Sequence, residues 1–376
     1  MNDPTAATAW LGVAAAGAAV GWAIAALVPA ILSRDVEGPD PTAVATGRRV
    51  GVAALVGAFA LWWWEMVAGG QTPTAAVATP GPVDARYAGH LVFFALLTAA
   101  SWIDLRRRVI PDEITVPGTL AGLAWSALVP AALLPIVVEA PRSFAQPLLE
   151  PDVLGAAGGL AAVAWPVWLG PRPAWTGLAA AVAVVVGWWW CCTAPFRAAG
   201  PRRGLAAVGG EPRNLCLLVG LVVAAAAWWH GGLAWRGLGT GLVGLVVAAA
   251  MIWLTRAGAS WALGREAMGF GDVTLMAMMG AWLGWQACVI VCCLAVFIGL
   301  VHGLAMLVLH RESELPFGPS LCLAAALVVV FWRPLWERVG VFFAHPLDMA
   351  VVVGAVIGLT AVSLLAWQRL RATTKE

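Results

Sequence analysis

Charge is scarce in this chain of 376 residues: only 11% are Asp, Glu, Lys or Arg, against 61% hydrophobic. With a mean hydropathy of +0.86, that balance excludes an ordinary soluble domain and fits a polytopic membrane protein. The net charge of +2 is too small to attract nucleic acid. Histidine is sparse and scattered, at His90, His230, His302, His310 and His345. None has a partner at metal-ligand spacing, so no metal site is expected. The seven cysteines, Cys191, Cys192, Cys216, Cys288, Cys292, Cys293 and Cys322, contain no C-x-x-C pair. That excludes a zinc knuckle or a dithiol redox motif. Cys288 and Cys292 sit at helical i,i+4 spacing in an apolar run and are expected to be small packing residues. No cofactor is expected. The first apolar run, near 9–32, lacks a basic n-region and a convincing cleavage site, so it is expected to be a retained span.

What the chain has instead is apolar runs. They lie at 9–32, 49–68, 88–105, 114–137, 174–192, 214–230, 237–256, 271–285, 286–309, 318–333 and 347–367. Each is close to the ~20 residues that cross a bilayer core. The expected fold class is therefore all-α, a polytopic transmembrane helical bundle. Twenty-three Trp accompany a single Tyr. Clusters such as Trp62-Trp63-Trp64 and Trp188-Trp189-Trp190 at span ends are placed for interfacial anchoring. Gly and Ala recur within the runs and permit close helix packing. Basic residues set the orientation. Arg48-Arg49, Arg106-Arg107-Arg108, Arg197 with Arg202-Arg203, Arg311 and the tail with Arg369, Arg371 and Lys375 are all expected in the cytosol. This works if the Gly- and Ala-rich run 153–170 is re-entrant or interfacial. About eleven spans follow, with the N-terminus outside and the C-terminus cytosolic.

Against this apolar background two acidic residues stand at span edges. Asp104 follows the apolar run from Leu91 to Ile103, and Asp272 lies in Gly269-Phe270-Gly271-Asp272. A carboxylate at a membrane boundary is costly and is a functional candidate by default. Two of them, far apart in sequence, point to one site assembled from two helices. Gly269 and Gly271 lack Cβ atoms, which allows a sharp turn and a close substrate approach. Asp112 follows Pro111 and is expected to cap a helix starting near Ile114. Pro316-Phe317-Gly318-Pro319 is expected to be a turn that sets the entry into a span near the site.

Three blocks resemble the prepilin peptidase family, intramembrane aspartic proteases of type IV pilus and type II secretion systems. Ile103-Asp104 through Ile110-Pro111-Asp112-Glu113-Ile114-Thr115 is similar to I-D-x5-I-P-D-x-L-T. Gly269-Phe270-Gly271-Asp272-Val273-Thr274-Leu275, followed by Gly280-Ala281-Trp282-Leu283-Gly284, is similar to G-x-G-D-[VA]-K-L and G-A-x-L-G. Pro316-Phe317-Gly318-Pro319 is similar to P-F-G-P. The blocks keep the family's order and cover 88–135 and 237–333. The resemblance implies an aspartic endopeptidase of the bacterial inner membrane, its site facing the cytosol. Asp104 and Asp272 would be its catalytic pair. Its substrates would be prepilin-like or pseudopilin proteins, cut after a short basic leader; its other partner is the lipid bilayer.

Departures from the family are equally legible. Bifunctional members carry a methyltransferase region with paired C-x-x-C motifs between the first two spans. Here that interval is only Ser33 to Arg49 and has no cysteine, so N-methylation is not expected. Thr274 stands where the family has lysine. The expected division is 1–87, a two-span N-terminal region; 88–137, a first peptidase half with Asp104; 138–236, an inserted membrane region; 237–333, a second half with Asp272; and 334–376, an extra span with a basic tail. The competing functions are a catalytically inactive assembly scaffold of a pilus or secretion system, and a polytopic transporter. A transporter favours internal repeats and mid-membrane polar residues; here no repeat is found and both aspartates lie at span ends. A presenilin-type protease pairs its G-x-G-D with a tyrosine-aspartate motif, and the only tyrosine, Tyr87, is not followed by aspartate.

Overall fold

The computed structural model describes residues 4–33, 46–68, 80–130, 133–136, 146–147, 174–193, 211–263, 268–310 and 317–344, with isolated positions at 351, 354, 355, 358 and 362. Helices dominate. In chain order they are α1 (Pro4–Ser33), α2 (Thr46–Ala68), α3 (Pro80–Arg107), α4 (Asp112–Leu128), α5 (Trp175–Thr193), α6 (Glu211–His230), α7 (Gly232–Leu263), α8 (Phe270–Leu283), α9 (Trp285–His310), α10 (Gly318–Val330) and α11 (Trp332–Val339), with a 3-10 turn at Gly340–Ala344. Among the described residues four stretches are long and apolar enough to cross a membrane: Tyr87–Arg107, Trp175–Cys192, Gly232–Trp261 and Trp285–Gly303. Five shorter apolar helices accompany them, including Phe270–Leu283 and Gly318–Val330. The run 153–170 and most of 347–367 lie outside the described residues.

The described fold is all-α, as expected; β1 (Pro135–Ile136) and β2 (Gln146–Pro147) add only a minimal antiparallel pair in the connection after α4. Two expectations need correction. The run 114–137 is not one helix. α4 stops at Leu128, where Val129 leaves helical geometry (φ −132°, ψ 65°) before Pro130, because a residue preceding proline is pushed out of the helical region. The run 237–256 is part of a longer helix, α7, which begins just after Gly231. Gly231 (φ 66°) and Gly232 (φ 53°) reverse the chain after α6 in a conformation that glycine adopts without steric cost.

Small residues bring α4, α7 and α8 together. A Cβ on Gly244 of α7 would collide with the Gly280 carbonyl of α8, and a Cβ on Gly280 with the Gly244 carbonyl. Across the other face of α8, Gly118 of α4 receives Met278, and Gly122 receives Trp282. The Trp282 indole N–H donates to the Gly118 carbonyl at 2.9 Å. This gives a large aromatic a polar partner inside the packed trio. α8 is thus almost enclosed: every residue from Asp272 to Leu283 is buried. One hydrophobic cluster joins α3, α8, α9 and α10. A second joins α4, α5, α6 and α7 to the opposite side of α8, through Ala277 and Ala281.

Candidate active site

Asp104 lies in the last turn of α3 and Asp272 in the first turn of α8. Both are buried, at 4% and 7% exposure. The fold brings them together: Ile110 lies against both Gly318, which abuts the Asp104 carboxyl, and Gly271, the residue before Asp272, and the charge of Asp104 reaches Asp272. α3 ends just beyond Asp104. The Arg108 amide donates to the Asp104 carbonyl at 2.7 Å, and Arg108 adopts φ 56°. A left-handed residue closes a helix in this way, although a non-glycine residue does so at a cost of roughly 1–2 kcal/mol. The chain then runs directly into α4, so the position of Asp104 is tied at both sides to rigid helices.

Gly318 is more than a turn residue. Its backbone N–H is hydrogen-bonded to the Asp104 carboxylate. It is also the first residue of α10, so an unpaired helix-terminal donor finds its acceptor here. A Cβ at Gly318 would collide with Oδ2 of Asp104 and would come within 2.9 Å of Ile110 Cδ1. Ile110 is the wedge of the site. Its Cβ would also lie 2.9 Å from a Cβ added at Gly271. The side chain therefore sits between the starts of α8 and α10, and both glycines are needed to admit it. One turn into α10, Cys322 is hydrogen-bonded to the Ser101 side chain and lies within electrostatic reach of both Asp104 and Asp272.

The explanation for the two glycines before Asp272 changes. Gly269 has φ −66° and ψ 153°, and the described glycines with positive φ are Gly231, Gly232 and Gly284. Neither Gly269 nor Gly271 is needed for backbone freedom. Gly271 makes room for Ile110. Gly269 is exposed, and a Cβ there would meet nothing closer than Oδ2 of Asp272 and the Gly271 nitrogen, both at 3.9 Å. Gly269 thus leaves an open side next to the Asp272 carboxyl. The true conformational requirement lies at the other end of α8, where Gly284 (φ 80°) turns the chain into α9.

The remaining candidates fall as follows. Asp112 is the first residue of α4 and not its cap, a position that Pro111 occupies. The Ile114 and Thr115 amides bond the Pro111 carbonyl at 3.1 and 3.3 Å, so the helix begins two residues earlier than expected. The Asp112 carboxylate in the first turn still complements the helix dipole. Pro316 lies outside the described residues. Thr274 is buried, and its hydroxyl donates to the Gly271 carbonyl at 3.0 Å. Ile110, Ser101 and Cys322 were not singled out in the sequence. Arg256 was missed as well: its Nε donates to the Met268 carbonyl at 2.9 Å, and its guanidinium lies 6.0 Å from the Phe270 ring centroid. An arginine inside an apolar helix was the available signal. Among the described residues no three His, Cys, Asp or Glu side chains are grouped to hold a metal ion.

Comparison with known proteins bears on the second half of this arrangement. Residues 212–304 match the model of the type IV leader peptidase family. The chain is 34% identical over 97 residues to the prepilin leader peptidase/N-methyltransferase of Aeromonas salmonicida strain A449, covering 25% of this chain and 33% of that protein. It is 37% identical over 84 residues to the protein of the same name from Pseudomonas aeruginosa, covering 22% and 29%. With the one from Legionella pneumophila it shares 38% over 71 residues, covering 18% and 24%. The matched stretch thus spans about a third or less of these relatives. No solved structure matches. The family match is narrower than the sequence blocks: it includes Asp272 but not Asp104 or Gly318. Residues 212–304, from the first turn of α6 into α9, are therefore similar to the type IV leader peptidase family.

Proposed function

We propose that this chain is an intramembrane aspartic endopeptidase that removes the basic leader from prepilin-like or pseudopilin substrates at the cytosolic membrane face. The observation that carries this proposal is the convergence of Asp104 and Asp272, two buried carboxyls from separate helices joined through Ile110 and its contacts with Gly318 and Gly271. One carboxylate takes a proton from water as the oxygen attacks the scissile carbonyl carbon. The other carboxyl donates its proton to the carbonyl oxygen. Collapse of the tetrahedral intermediate breaks the C–N bond, and the leaving nitrogen takes a proton from the dyad. Two carboxyls at close quarters hold one proton between them, which supplies the acid and the base together. Gly269 leaves the approach to Asp272 open for an extended substrate segment.

The proposal includes a bacterial inner-membrane protein with about eleven spans, its N-terminus outside and its C-terminus in the cytosol. The peptidase halves are 88–137 and 237–333, with 138–236 inserted between them. The named relatives are peptidase/N-methyltransferases; this chain is proposed to cleave without methylating, since Ser33 to Arg49 holds no cysteine pair. The test uses the purified full chain in proteoliposomes and a synthetic substrate with a basic leader, a glycine and an apolar helix. One cut after the glycine, giving an unmodified N-terminus by mass spectrometry, is the expected result. Intact substrate would favour the scaffold or transporter instead.

A further inference from the structure

Helices α7 and α8 run antiparallel in a single register. Thr240 stands opposite Gly284, and Gly244 opposite Gly280. Equal steps along α7 and back along the chain bring Arg256 opposite Met268, where the two are hydrogen-bonded. The Arg256–Met268 bond is therefore the last rung of this helix pair, and it falls in the turn that leads into Asp272. It lies beyond the reach of the glycine contacts that hold the rest of α8 against α7.

The geometry of that rung is specific. The Nε–H of Arg256 bonds a main-chain carbonyl one residue before Gly269. The same guanidinium faces the ring of Phe270, the first residue of α8. One cation thus holds the chain on both sides of Gly269. A Cβ at Gly269 would meet only Asp272 Oδ2 and the Gly271 nitrogen, both at 3.9 Å, so no packing against another element fixes the turn there. Beyond it, Gly271 is seated on Ile110. A turn held at Met268, Phe270 and Gly271 leaves Asp272 little freedom to swing away from Asp104. An arginine near the end of a long apolar helix is costly unless its charge is used or solvated. Here the side chain reaches to the site end of the helix pair.

We propose that Arg256 is a positioning residue that clamps the Met268–Phe270 turn and so sets the reach of Asp272 toward Asp104. The functional half of this inference rests on the peptidase proposal; the structural half does not. The test compares the full-length wild type with Arg256→Met, which keeps the apolar stem and loses the donor and charge, and with Arg256→Lys. Two readouts are taken in proteoliposomes: kcat and KM on the leader-glycine-helix substrate, and amide hydrogen exchange over 268–275. Loss of a charge-assisted bond at the turn should lower kcat roughly ten- to a hundredfold in Arg256→Met with KM little changed. Exchange over 268–275 should rise by a similar factor. Arg256→Lys restores a cation and a donor and should recover most of both. Wild-type exchange in Arg256→Met would overturn the proposal, as would wild-type kcat. A selective rise in KM would also overturn it, since that marks a substrate contact. Should the wild type fail to cleave, the peptidase proposal falls while exchange still decides the clamp. Arg256→Gln, too short to reach the turn, repeats the test if the methionine variant does not accumulate.

Discussion

Gly318→Ala isolates the steric part of the site. The substitution keeps the backbone N–H that bonds Asp104 and adds one methyl group. That methyl collides with Oδ2 of Asp104 and approaches Ile110 Cδ1 to 2.9 Å. Neither neighbour can retreat freely. Asp104 is in the closing turn of α3, and Ile110 is pinned between the starts of α8 and α10. Overpacking at such a point costs about 1–3 kcal/mol, so the protein should remain folded with a modestly lowered Tm. The effect on chemistry should be larger than on stability. Displacing a catalytic group by about 1 Å can cost on the order of a hundredfold in rate. Cleavage kinetics in proteoliposomes, alongside thermal unfolding in detergent, read the two effects separately. The expected pattern is kcat lowered roughly a hundredfold with a folded protein. Near-normal cleavage would refute the placement of Gly318 against Asp104.

The two glycines of the α8 turn should behave differently. Gly269→Ala makes only ordinary 3.9 Å contacts with the Asp272 carboxyl and the Gly271 nitrogen and should stay within about 0.5 kcal/mol of wild-type stability, whereas Gly271→Ala strikes Ile110 and should lose about 1–3 kcal/mol; thermal unfolding of both variants measures the contrast, and equal effects would count against the steric explanation. Trp282→Phe removes the indole N–H that bonds Gly118 and should cost about 1 kcal/mol by the same measurement, with cleavage little affected because Trp282 lies at the far end of α8 from Asp272.

Helix positions were legible because apolar runs in a bilayer report length directly. The expected runs 49–68 and 214–230 fall within α2 and α6, and 174–192 matches α5 to within one residue. Boundaries failed where local chemistry outweighed hydropathy, as at Pro130 and at the Gly231-Gly232 reversal. The aspartates were legible because charge at a membrane edge is rare. Their neighbours were not. Ile110 looks like any apolar residue, and its role depends on which two glycines from distant segments it meets. Gly318 was visible as a turn residue, but its hydrogen bond to Asp104 joins α10 to α3, and no local pattern encodes that pairing. The reason given for Gly269 and Gly271 was conformational, when the structure makes one a steric accommodation and the other an open side.

The central claim is that Asp104 and Asp272 form one acid–base pair. The most direct measurement is cleavage of the leader-glycine-helix substrate by Asp104→Asn and Asp272→Asn, each purified and checked for wild-type unfolding behaviour. An amide can neither accept the water proton as a carboxylate does nor donate as a carboxylic acid does, and general acid–base groups contribute about 10²–10⁴-fold each. Loss of cleavage by at least about a hundredfold in both folded variants is the predicted result. Near-wild-type cleavage by either one would contradict the account.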